Sequence, residues 1–128
     1  TQALQASVPD NPNAKASQAI VEKWITAYQT SEAEALLSLW SEDITWSACT
    51  SSPCSAYYLA DLKVYVPRDF KNPEFKVEIQ SYLITQSGKY ASVQALYVDP
   101  MVGLQTPTSA VAVLEFKDGK ILKETWYW

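Results

Sequence analysis

"FKDGKILKETWYW", Phe116 to Trp128, reads as a tight turn followed by a strand that carries three aromatic rings in its last three positions. Lys117-Asp118-Gly119 is a hairpin turn with glycine where a positive φ is needed. A strand lying on the surface has no use for Trp126, Tyr127 and Trp128 together. A strand closing over a core or a pocket does. Strict alternation sets Trp126 and Trp128 on one face and Tyr127 on the other.

Three further runs precede it: "FKVEIQSYLIT" (75–85), "KYASVQALYVD" (89–99) and "TSAVAVLEF" (108–116). They are joined through "QSG" and "PMVGLQTP", and the three glycines of the chain, Gly88, Gly103 and Gly119, all fall in the connecting turns. Four consecutive β-rich runs predict an antiparallel meander. In the second run Ala91, Val93, Ala95, Tyr97 and Asp99 share one face. In the third, Ala110, Ala112, Leu114 and Phe116 oppose Val111 and Val113. Both faces of the meander are fairly apolar, as expected of a sheet covered by helices on one side and by a second copy on the other.

The N-terminal half has another rhythm. Residues 1–14 carry Pro9 and Pro12 among Asn and Asp and read as a tether, which leaves 15–128 as one domain. Ile20, Val21, Trp24, Ile25 and Tyr28 recur at helical spacing, with Ser17 as the cap. A second short helix follows, capped by Ser31 with Glu34 three positions on, and shows Leu36, Leu37, Leu39 and Trp40 on its apolar face. "DITW" (43–46) reads as a short strand. Residues 48–74 are the least legible; "LKVYVP" reads as extended and Pro67 and Pro73 as the bounds of a loop. Helices first and a sheet afterwards predict an α+β fold.

Composition excludes several functions. The chain has 128 residues, a net charge of −4, one arginine (Arg68) and no histidine. Nothing in it makes the basic face that nucleic acid requires, and no apolar run approaches the ~20 residues of a membrane helix. Without histidine there is no His-based triad and no metal site of the common kind, and two cysteines alone do not complete a tetrahedral site. No cofactor is expected. Cys49 and Cys54 are either bonded or two free thiols. The turn-forming residues between them and a surface rich in Ser, Thr and Gln favour a disulfide in an exported protein.

Three stretches in order, "IVEKWITAYQT" (20–30), "ALLSLWSEDITW" (35–46) and "FKDGKILKETWYW" (116–128), resemble the nuclear transport factor 2-like superfamily and, within it, the SnoaL-like polyketide cyclase and ketosteroid isomerase branch. The resemblance runs from about Ser17 to Trp128. It implies a curved sheet wrapped by helices into a cone, an apolar pocket inside, and homodimerisation through the outer sheet face.

On that frame Trp24, Tyr28, Trp40, Trp46, Tyr97 and Trp126 are the candidate ligand-binding residues, with core packing as their alternative role. Asp99 is the one candidate catalytic base, with turn formation before Pro100 as its alternative. Glu78, Glu115 and Glu124 are expected on solvated strand faces or paired across strands with lysines, and Asp43 in a structural turn role. Two functions stay open. One is an exported domain that binds a small apolar molecule. The other is a cofactor-free isomerase or cyclase that uses a pocket carboxylate as general base. A dimerisation module with a filled core is the third.

Overall fold

A computed structural model describes residues 4–50, 53–100 and 104–128. Ten elements follow one another: β1 (Gln5–Ser7), α1 (Pro12–Gln29), α2 (Ala33–Leu39), β2 (Trp40–Cys49), β3 (Ser55–Tyr58), α3 (Leu59–Lys71), β4 (Lys76–Ile84), β5 (Tyr90–Asp99), β6 (Leu104–Lys117) and β7 (Lys120–Tyr127). One seven-stranded sheet takes the order β1-β4-β5-β6-β7-β2-β3. Its last four strands are antiparallel neighbours in chain order, as the meander predicted. Two pairings are parallel, β1 with β4 and β2 with β7. The fold is α+β, with three helices on a mixed, mostly antiparallel sheet.

Alternation along β5 and β6 holds. Ala91, Val93, Ala95, Tyr97, Ala110, Ala112, Leu114 and Phe116 are all buried, while Ser92, Leu96, Val98, Val111 and Val113 stay partly accessible. The inner face therefore meets the helices. The outer face keeps Leu83, Tyr90 and Tyr127 exposed.

Helix starts differ from the sequence reading. α1 begins at Pro12, not Ser17: Asn11 Oδ1 accepts from the Ala14 N–H at 2.8 Å, and Pro12 at the first helical position needs no N–H partner. The stretch read as a tether thus contains β1 and the first turn of α1. Ser17 instead donates its hydroxyl to Gly88 O across the β4–β5 turn. A Cβ on Gly88 would sit 2.5 Å from Asn13 O, so only glycine lets the turn come this close. α2 is preceded by Glu32 as its cap residue, and Ser31, the expected cap, adopts a φ of 55°. Trp40, placed on the α2 face by its spacing, opens β2.

The largest correction is α3. "LKVYVP" is helical, and Pro67 lies inside the helix rather than in a loop. Leu62 and Val66 supply its buried face. Its β-branched and aromatic residues, Val64 and Tyr65, mimic a strand, but packing of the i, i+4 face overrides that local preference. Asp61 accepts from the Tyr58 N–H at 3.0 Å and fixes the entry. Met101, Val102 and Gly103 lie outside the described residues, while Leu104 to Pro107, read as part of the same turn, open β6.

Candidate functional site

The inner face of β7 carries a carboxylate. Glu124 is fully buried, the opposite of the solvated position expected for it. It lies two residues from Trp126 on the same strand and therefore on the same face. Five donors converge on it. Oε1 accepts from Trp24 Nε1 at 2.7 Å and Trp40 Nε1 at 3.0 Å. Oε2 accepts from the Tyr28 hydroxyl at 2.5 Å, Trp126 Nε1 at 2.8 Å and Trp46 Nε1 at 2.9 Å. Every partner is a neutral donor: four indoles and a phenol. An indole N–H can only donate, so the set is complementary to a carboxylate, which when ionised only accepts. Three elements contribute to this cage: α1 (Trp24, Tyr28), β2 (Trp40, Trp46) and β7 (Glu124, Trp126).

Beside the cage lies a cavity of about 250 Å³. Tyr28 and Trp46 belong to both, each turning one side to Glu124 and the other to the cavity. Aromatic rings make most of the remaining wall. Tyr57 and Tyr65 meet edge to face with centroids 5.7 Å apart, and Phe70, Phe75 and Tyr97 continue the surface at 5.3 and 5.7 Å. α3 closes one side through Leu62, Val66 and Phe70. The hairpin β2–β3 closes another through Trp46, Ala48 and Tyr57, and the Cys49–Cys54 disulfide ties it.

Polar groups in the wall are few. Asp99, 1 % exposed, accepts from the Tyr97 hydroxyl at 3.2 Å. Asp69 accepts from Arg68 Nη2 at 3.1 Å and Nε at 3.3 Å, and the Arg68 guanidinium lies 4.8 Å from the centre of the Tyr65 ring. Burial pushes the Asp69 carboxyl above its ordinary range, and the hydrogen bond and charge of Arg68 pull it partly back. The Tyr28 and Tyr97 phenols are both raised well above the usual phenol value. Burial is the first cause for each; the charge of Glu124 comes next for Tyr28, and that of Asp99 for Tyr97. Among the described residues no group of three or more His, Cys, Asp or Glu is placed to hold a metal ion.

The six aromatic candidates therefore divide. Tyr28, Trp46 and Tyr97 line the cavity, while Trp24, Trp40 and Trp126 surround Glu124 behind it. Asp99 faces the cavity. Asp69 and Arg68, which the sequence placed in a loop, join it because α3 is a helix. Glu78 is exposed, and Glu115 is half-buried opposite Lys123, as expected of strand acids. Glu124 had a signal in the sequence: it shares its face with Trp126, the residue already assigned to the interior.

The sequence profile of the SnoaL-like domain matches residues 21–124. No curated protein sequence matches the chain. Solved structures do. An NTF2-like protein of unknown function from Mesorhizobium loti is 14 % identical, with 96 % of this chain and 97 % of that one covered and a TM-score of 0.77. A candidate polyketide cyclase from Xanthomonas campestris pv. campestris is 17 % identical over 91 % and 92 % of the two chains, with a TM-score of 0.66. A protein with a ketosteroid isomerase-like fold from Catenulispora acidiphila, in complex with trimethylamine, is 20 % identical over 85 % and 84 %, with a TM-score of 0.63. At these identities the likeness is one of fold.

Proposed function

The chain belongs to the SnoaL-like family, and from that premise we propose that it binds a small, ring-containing molecule in the cavity beside Glu124, without a cofactor. The observation that carries this reading is the cavity itself: about 250 Å³, walled by seven aromatic side chains, with two carboxyls at its edge. Pockets of this kind are mostly apolar, and a few polar groups orient the ligand. Its size sets a limit. An apolar cavity of about 150 Å³ takes up benzene, so this one has room for one substituted ring or a small bicycle. The trimethylamine held by the Catenulispora protein is likewise small. Trp46 lines the cavity, so ligand binding is read as quenching of tryptophan fluorescence. A panel of one- and two-ring compounds that leaves the emission unchanged up to millimolar concentration overturns the reading.

A second reading is cofactor-free proton transfer. It is favoured by the placement of Asp99, buried in the cavity wall next to a tyrosine. A carboxyl kept from water is suited to take a proton from carbon beside a carbonyl. Asp99→Asn would keep ring binding and abolish exchange of such a proton with deuterated solvent. Retained exchange removes Asp99 as the base.

Two coarser expectations belong with this reading. The Cys49–Cys54 disulfide supports an oxidising, extracytoplasmic setting, and two free thiols in the unreduced, denatured protein would remove that support. None of the described helices is long and apolar enough to cross a membrane. Leu83, Tyr90 and Tyr127 on the outer sheet face support a two-fold dimer, which sedimentation at high concentration tests.

A further inference from the structure

We infer that the polar group of the cavity's ligand is a protonated amine, so that the site selects a small aryl- or alkylammonium over its neutral and anionic counterparts. The inference rests on the reading of the cavity as a small-molecule site and names the chemistry it takes.

It follows from the direction of the hydrogen bonds. A phenol has one proton. That of Tyr28 is committed to Glu124 at 2.5 Å, and that of Tyr97 to Asp99 at 3.2 Å. Trp46 has one donor, and it too points at Glu124. These three side chains line the cavity, yet none has an uncommitted proton to offer a ligand; the Tyr28 oxygen also accepts from Trp46 Nε1 at 3.4 Å, and a phenol oxygen that donates its proton is left as an acceptor. Only the Tyr57 and Tyr65 hydroxyls can turn either way. Among the described residues Arg68 is the one cation in the wall, and Asp69 already occupies both its Nε and Nη2. The cavity and the cage behind it hold three carboxyls, Asp69, Asp99 and Glu124, against that single guanidinium.

The rings add to this. Tyr28, Trp46, Tyr57, Tyr65 and Tyr97 line the cavity, and a cation is attracted to the electron-rich face of such a ring when it is shielded from water. An ammonium N–H placed at Asp99 would make a charge-assisted bond, stronger than a neutral one. A carboxylate ligand would meet lone pairs and negative charge instead. An oxyanion meets the same repulsion: Tyr28 and Tyr97 are turned away from the role of oxyanion donors.

Three probes nearly equal in shape test this on the unmodified protein: benzylammonium, ethylbenzene and benzoate, titrated by tryptophan fluorescence at neutral pH. Benzylammonium is expected to bind at least about tenfold more tightly than ethylbenzene, about 1.4 kcal/mol, and benzoate more weakly than either. Asp99→Asn, checked for an unchanged near-ultraviolet circular dichroism spectrum, should bring benzylammonium and ethylbenzene within about threefold of each other. If ethylbenzene binds as tightly as benzylammonium, or benzoate binds best, the ammonium preference is wrong and the cavity reading stands. If none of the three binds, the cavity reading fails and this inference with it. An Asp99→Asn protein that keeps the full preference overturns the role given to the carboxyl.

Discussion

Replacing Glu124 with Gln tests the cage most severely, because it keeps the volume while it removes one acceptor oxygen and the charge and adds an –NH2. The amide has one oxygen and one –NH2. Turned one way, its nitrogen faces Trp24 and Trp40; turned the other, it faces Tyr28, Trp46 and Trp126. The cheaper arrangement still leaves two buried indole N–H groups without an acceptor. Each such orphan costs about 1–3 kcal/mol, and the amide's own two N–H groups are stranded beside them. Against this stands the relief of no longer burying a charge, which is worth several kcal/mol. The bonds that remain also lose their charge assistance. The balance is a net loss of at least about 3 kcal/mol, a large share of the 5–15 kcal/mol by which domains are stable.

Urea unfolding reads this directly. Four of the five tryptophans surround Glu124, so their emission reports the cage itself. With a slope of about 1.5 kcal/mol per molar urea, the midpoint should fall by about 2 M. Trp24→Phe is the control. It opens a small void and removes a donor but strands nothing, because the carboxylate keeps four partners. It should cost about 1–2 kcal/mol, less than the isosteric Glu124→Gln. A Glu124→Gln midpoint within about 0.3 M of the parent, or a Trp24→Phe loss greater than the Gln loss, refutes the argument that donors, and not volume, demand the carboxylate.

Further perturbations probe other parts of the fold. The raised phenols of Tyr28 and Tyr97 bind protons in the folded state that the unfolded chain gives up near pH 10. Stability should therefore be unaffected by them below that pH and fall above it, by up to about 1.4 kcal/mol per pH unit for each; a flat unfolding midpoint between pH 10 and 11 contradicts this. Gly88→Ala, with φ at 72° and Asn13 O in the way, should destabilise more than Gly119→Ala, where φ is 76° but nothing lies within 4 Å, and equal thermal midpoints would deny the close approach. Reducing the Cys49–Cys54 bond should cost about 2 kcal/mol by the chain-entropy estimate for so short a loop and weaken ligand binding, since the tied hairpin carries Trp46 and Tyr57. Unchanged affinity after reduction would separate the hairpin from the site.

The sheet was legible because its signals are local and agree with each other. Glycine-marked turns, period-2 alternation and a buried inner face all describe β5, β6 and β7 in the same way. α3 was hidden because Val64, Tyr65, Val66 and Pro67 carry strand and loop preferences, and only its packing against the cavity makes it a helix. That single misreading removed Asp69, Arg68 and Phe70 from view. Glu124 was missed for a different reason. Composition says that an acid on a strand faces water, whereas its phase with Trp126 says that it faces in. The register slips between Glu115 and Phe116, so that Ile121 and Glu124, three apart, are both buried. Between Glu124 and Trp126 the alternation is intact, so the phase was there to be read and the composition rule was given precedence over it.

A buried carboxylate held by neutral donors alone is a poor way to gain stability, since apolar packing of the same volume is often as good or better. What it gains here is direction. Four indoles and a phenol from three elements can each adopt several rotamers in an apolar core. Bonded to one pair of oxygens, they can satisfy their protons in only one arrangement. Tyr28 and Trp46 pass that constraint to the cavity, because the side of each ring that does not face Glu124 is cavity wall. Glu124 thus sets from behind which faces and which lone pairs a ligand meets, without touching it. In consequence, changes behind the wall should alter selectivity as well as stability. Trp40→Phe, which removes a cage donor and does not line the cavity, should shift the benzylammonium-to-ethylbenzene ratio by more than Leu62→Ala, which enlarges the cavity. If Trp40→Phe leaves the ratio untouched while Leu62→Ala changes it, the wall is set by local packing and the cage has only a structural role.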